Sequence, residues 1–235
     1  MRNLVKPITN MNTVKPIVFA FFFFICGQVS LAQRDTVESS GEKSASSLKL
    51  SYNSSFIYPG VRAGIEMPFK KIYITKTKKT GRQKFIRKDH YVSANVSWYH
   101  HPSFHDNVYI TAGYTLRQTG GGGFFGEFSP ELGYSRTFLG GTTYQVSGDG
   151  TVSVKRMAGY NYALVSLGGG LGYDFSMRYA TPIAICYKLN LLTMFPYNNT
   201  VYIRPAMELG IIYKPKRFLM FTAKVKRINK NKFRG

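Results

Sequence analysis

The side chains best placed for chemistry near neutral pH are four histidines, His90, His100, His101 and His105, three of them crowded into one short stretch. His101 and His105 are spaced as a pair of metal ligands would be. Only Asp106 stands beside them, and no cysteine does, so a turn-capping cluster is the simpler reading. His101-Pro102-Ser103 sets a general base next to a hydroxyl. Such a pair also needs a carboxylate to orient the imidazole, and the next glutamate, Glu127, lies beyond a glycine-rich loop. Glu127, Glu131 and Glu208 could do acid–base work, but carboxylates of this kind more often pair with cations, here Arg62, Arg117, Lys188 and Arg204. The Gly120–Gly123 run is followed by neither Lys-Ser/Thr nor a helix, so it is not a phosphate loop. No catalytic residue, metal or cofactor is expected.

The elements that hold these side chains show a period of two. Val108, Ile110, Ala112, Tyr114 and Leu116 share one face, and Asn107, Tyr109, Thr111, Thr115 and Arg117 share the other. Val92, Ala94, Val96 and Trp98 oppose Ser93, Asn95, Ser97 and Tyr99, and Phe128, Leu132 and Tyr134 oppose Glu127, Ser129 and Glu131. The same alternation runs through 61–69, 163–176, 183–195, 201–213 and 219–225, with Gly, Pro, Asn and Asp clusters between the runs. It predicts eight strands between residues 60 and 228. Residues 48–59 add a further strand or a plug, and ten strands result if Pro68 also splits the first long run.

Lysine and arginine number 32 against 11 aspartates and glutamates, a formal charge of +21, and aromatics reach 15%. That much apolar mass excludes a disordered chain, and two cysteines exclude a disulfide scaffold. Arg2, Lys6 and Lys15 precede the apolar run Pro16 to Cys26, and Ser30-Leu31-Ala32 follows as a small-residue cleavage site. This is the pattern of a secretory signal over residues 1–32, too short for a transmembrane helix, which needs roughly 20 residues. Residues 33–47 read as a flexible polar leader and 229–235 as a basic tail.

Alternation alone leaves a soluble sandwich and a lipocalin-like barrel open beside a membrane barrel. The polar face favours lipid on the other side. It mixes glycines with Arg62, Glu66, Arg117, Glu127, Glu131, Asp174, Lys188, Arg204 and Glu208, which suits a narrow ion-paired lumen. Aromatics near strand ends, among them Tyr91, Trp98, Tyr99, Tyr134 and Tyr173, suit interfacial girdles. The expected fold is therefore all-β, a closed antiparallel up-and-down transmembrane β-barrel in a Gram-negative outer membrane.

Basic residues gather at Lys76, Lys78, Lys79, Arg82 and Lys84 and again at Lys214, Lys216 and Arg217. If the last strand returns as a hairpin and both chain ends lie in the periplasm, these clusters share the outer rim with loops 119–123 and 177–180. The connections 101–106, 139–150 and 196–199 then face inward. Cations at the outer rim would neutralise glycolipid phosphates, or simply solubilise loops. No nucleic-acid motif is present.

The segments Tyr99-His-His-Pro102, Glu131-Leu-Gly-Tyr134-Ser-Arg-Thr-Phe138, Leu171-Gly-Tyr-Asp-Phe175 and Glu208-Leu-Gly210 resemble a group of small outer-membrane barrels from Bacteroidota-type bacteria, over roughly residues 60–214. The resemblance implies architecture but no activity; insertion by the barrel-assembly machinery and a monomer are expected. The His-x-Ser spacing at 101 and 103 is also similar to that of lipid A deacylase barrels. Three roles stay open: a non-enzymatic structural or surface-interaction barrel, a narrow pore for small solutes, and a lipid-modifying enzyme.

Overall fold

A computed structural model describes residues 37–55, 58–77, 80–102, 104–197 and 200–231. The predicted signal, residues 1–32, lies outside them, as do Lys78, Lys79 and Ser103. The described chain is almost entirely strand: β1 Val37–Ala45, β2 Ser47–Ser54, β3 Gly60–Thr77, β4 Gln83–His101, β5 His105–Gly120, β6 Phe124–Leu139, β7 Tyr144–Val146, β8 Val152–Val154, β9 Gly159–Asp174, β10 Ile183–Tyr197, β11 Thr200–Tyr213 and β12 Met220–Asn231. One short helix, α1, covers Ser176–Tyr179.

Eight strands close a ring in the order β2, β3, β4, β5, β6, β9, β10, β11 and back to β2, with every neighbour antiparallel. Closure leaves no unpaired edge within the ring. The fold is the expected all-β up-and-down barrel. β7 and β8 form a separate small hairpin in the connection between β6 and β9.

The polarity is inside-out. Leu50, Leu132, Leu171 and Leu209 stand outward and are 62–72% exposed. Arg62, Arg117, Glu127, Glu131, Lys188 and Glu208 point inward and are at most 6% exposed. A water-soluble barrel reverses this order, because exposed apolar area is unfavourable in water by roughly 25 cal/mol per Å².

Two expectations are corrected, and one alternative is decided. The leader at 33–47 contains a strand, β1, paired along its length with β12. Of the two readings of residues 48–59, the further strand holds: β2 is a wall strand that pairs with both β3 and β11. The final strand does not return as a hairpin from β11, and it extends to Asn231, into the expected tail. β12 runs parallel to β3 along Lys70–Thr77 and antiparallel to β1. It wedges between β1 and β3 on the edge of β3 whose other end pairs with β2. To get there the 214–219 segment crosses the β1–β2 junction, where the Ser46 amide and hydroxyl both donate to carbonyls of the segment, at 2.9 Å to Phe218 and Leu219 respectively.

The first and last described strands therefore run out at the same rim, beside the end of β3 at Thr77. There β1, β12 and the distal halves of β3 and β4 form a four-stranded extension above the ring. The expected grouping of turns by rim follows from the pairing, but the outer ends of β1 and β12 lie with the basic turns and not opposite them. This removes the premise on which the basic turns were assigned to the outside.

Candidate functional site

Inward residues on one strand recur every two positions, about 6.6 Å apart. Arg62 and Glu66 on β3 are two such steps apart, about 13 Å, too far to pair with each other. Each reaches across the lumen instead. Arg62 Nη2 donates to Glu131 Oε2 at 2.5 Å, and Thr111 Oγ1 donates to the same oxygen at 2.8 Å. Arg117 donates from Nη1 and Nη2 to both oxygens of Glu66 at 2.9 and 2.8 Å, and from Nε and Nη2 to Glu127 at 3.0 and 2.7 Å. One guanidinium thus serves two carboxylates in the planar, forked geometry that arginine favours.

Two ammonium groups complete the network. Lys49 Nζ lies 2.7 Å from Glu208, and Lys188 Nζ lies 3.7–4.0 Å from Glu127, Glu131 and Glu208. Ser51 and Asn190 also donate to Glu208, at 2.9 and 3.0 Å. Lys188 fits because the facing strand carries glycines. A Cβ at Gly168 would meet Asn190 Oδ1 at 2.3 Å, and one at Gly170 would meet the Tyr187 carbonyl at 2.5 Å and Lys188 Cβ at 2.9 Å. Lys49, Arg62, Arg117 and Lys188 therefore face Glu66, Glu127, Glu131 and Glu208 in a charge-balanced plug.

Of the nine residues read from the sequence as lumen charges, seven meet in this plug. Lys49 was missed, although its place between outward Leu48 and Leu50 marks it as inward. Asp174 lies instead at the chain-end mouth, bonded to Lys214 and to Arg87 at 3.0 Å. Burial pushes the Lys214 ammonium below its ordinary pKa. A cavity of about 270 Å³ opens there, bordered by Lys43, Lys71, Arg87, Asp89 and Lys214.

The basic turns sit at this same mouth. Lys76, Arg82, Lys84, Lys216 and Arg217 are exposed. Register assigns a further set to the outer face of the extension. Lys88 and Lys84 continue the outward parity of Val92 and Val96 on β4. Lys70, Ile72, Ile74 and Lys76 of β3 pair with His90, Lys88, Ile86 and Lys84, and Lys224 and Lys226 of β12 pair with Lys70 and Ile72. Lysines and isoleucines thus share one face directly above the lipophilic wall.

The opposite end of the lumen is different. Here the inward residues are Tyr99, Tyr109, Tyr162, Leu164, Leu192 and Met194. Tyr91 and Tyr99, expected as girdle residues, are lumen residues at 5% and 4% exposure. Arg204 lies among the aromatics at 2% exposure, its guanidinium carbon 3.6 Å from the Tyr99 ring centre and 5.3 Å from that of Tyr58. None of its three guanidinium nitrogens has a hydrogen-bond partner among the described residues. Three of the four imidazoles gather at this rim, while His90 lies toward the other end, beside Lys70 and Tyr114. His101 stacks on Tyr58 at 4.3 Å and lies 5.0 Å from His105, while His100 bonds exposed Asp106 at 2.8 Å. Glu127, the carboxylate a His–Ser pair would need, is held in the plug by Arg117. No cluster with the makings of a metal site occurs among the described residues.

No family model matches the chain, and no curated protein does. Among solved structures it is similar to the crystal structure of Neisserial surface protein A, at 16% identity and a TM-score of 0.34, over 76% of this chain and 99% of that one. So loose a superposition carries no function, and the barrel assignment stands on the strand pairing itself.

Proposed function

We propose that this protein is a non-enzymatic outer-membrane barrel with a structural or surface-interaction role, closed to solute flow and seated in the bilayer by its lysine-bearing extension. One observation carries the reading: the outside of the ring is apolar while its inside holds four ion-paired carboxylates on residues at most 6% exposed. Backbone polar groups in hydrocarbon must be satisfied internally, and a closed ring does so. The barrel-assembly machinery is its partner during insertion, and the glycine–aromatic strand segments align it with Bacteroidota-type barrels.

The outer ends of β1 and β12 go to the periplasm, and the 140–158 connection, the longest between ring strands, goes outside, where long loops belong. Under this orientation Lys70, Lys84, Lys88 and Lys224 meet lipid phosphates of the periplasmic leaflet rather than outer-leaflet glycolipid. Lysine stems lie along apolar surface while their ammonium groups reach the headgroups.

Purification tests the membrane reading. The mature chain requires detergent and inserts into lipid vesicles, and a monomer freely soluble in water without detergent would overturn it. Labelling of intact cells tests orientation. A cysteine at Ser147 reacts with an impermeant maleimide while one at Arg82 does not, and the reverse pattern returns the lysines to the glycolipid face.

A further inference from the structure

We propose that the aromatic mouth opposite the chain ends is a binding site for a small ring-bearing anion, with Arg204 receiving its carboxylate or phosphate group. The cavity there measures about 390 Å³, and Arg204, Tyr58, Tyr99, Tyr197 and Tyr202 are among its lining residues. That volume lies within the usual range of small-molecule sites, about 300–1,000 Å³.

The anion is called for by Arg204. A guanidinium stays protonated at any physiological pH and carries five N–H donors. Burying it is costly unless a partner compensates the charge. The other two buried lumen arginines, Arg62 and Arg117, have carboxylate partners at 2.5–3.0 Å. Arg204 has the Tyr99 and Tyr58 ring faces and no hydrogen-bond partner among the described residues. Ring faces attract a cation but leave its donors unused. Glu208, the nearest inward carboxylate on the same strand, stands about 13 Å away along β11 and is engaged by Lys49 at 2.7 Å.

The ring body is called for by the walls. Tyr197 stacks on Tyr162 at 5.4 Å and on Tyr202 at 4.8 Å, and Tyr58 stacks on His101 at 4.3 Å. Flat faces of this kind accept another ring, and the adjacent His101 and His105 supply further polar contacts around an anionic head. Phosphate and carboxylate share the bidentate chemistry of guanidinium, and a single site serves both.

The test uses the full mature barrel in zwitterionic detergent, titrated calorimetrically with phenyl phosphate, benzoate, inorganic phosphate and phenol. Phenyl phosphate or benzoate binds, and each separated half, inorganic phosphate or phenol, binds at least about tenfold more weakly, the two titrations telling the preferred head group. Arg204→Met lowers affinity for the ring-bearing anion at least about tenfold, and Arg204→Lys recovers part of it. Arg178→Ser, in the exposed helix at the far rim, leaves it unchanged. Failure of both ring-bearing anions to bind the wild type, or equal binding by wild type and Arg204→Met, overturns the proposal. Should Arg204→Met not fold, the Arg204 Nε resonance of the wild type decides. It shifts on adding the bound anion, and an unmoved resonance rejects the site.

Discussion

The two halves of the lumen bury arginines under opposite conditions. Around Arg117 the barrel supplies two carboxylates, one bidentate, and every charge has a counter-charge within reach. Around Arg204 it supplies tyrosine faces. The first arrangement is self-sufficient and locks strands from across the ring together. The second leaves the Arg204 guanidinium without a hydrogen-bond partner among the described residues, at the edge of a cavity. Burial alone therefore does not tell a structural charge from a functional one, and what decides is whether the fold provides its partner.

The two halves differ most in their response at Arg117. Arg117→Met strands Glu66 and Glu127 without their guanidinium, and loss of one partner of a buried pair costs about 3–5 kcal/mol. Urea unfolding in detergent checks this, and adding Glu66→Gln recovers part of the loss. Gly168→Val comes next. A branched side chain there collides with Asn190 and crowds Lys188, an overpacking worth about 1–3 kcal/mol in the same assay. Arg204→Met is the sharpening case. It abandons no carboxylate and removes a buried charge, so stability changes by no more than about 1 kcal/mol even though ligand binding is lost. A destabilisation equal to that of Arg117→Met would erase the distinction between the halves. The smallest effect on folding belongs to the extension. Lys84→Ser with Lys88→Ser leaves unfolding in neutral detergent unchanged, but removes the extra stability gained in vesicles of anionic phospholipid, about 1 kcal/mol per lysine.

Much of this was legible in the sequence, for a physical reason. Alternation with a period of two reports which side chains share a face. Gly168 and Gly170 set beside Lys188 and Glu208 on that face announce a crowded, polar interior. What alternation cannot report is which strand becomes whose neighbour. The run Leu219, Phe221, Ala223 and Val225 reads as a strand whether it returns as a hairpin or crosses to β1 and β3. The crossing depends on the 214–219 segment binding Ser46, a contact between residues far apart in the chain. Alternation is equally blind to depth. Arg204 and Arg62 carry the same inward signature, and only their levels along the barrel set one among carboxylates and the other among tyrosines. Leu192 and Met194 were obscured likewise, since their strand is apolar on both faces at that end.

Single-channel recording of the purified barrel in a planar bilayer shows whether the charge-balanced plug closes the lumen. The wild type gives a silent membrane in molar potassium chloride. Steady stepwise currents from the unmutated protein would show a continuous water path past Arg117 and Glu208 and would contradict the account.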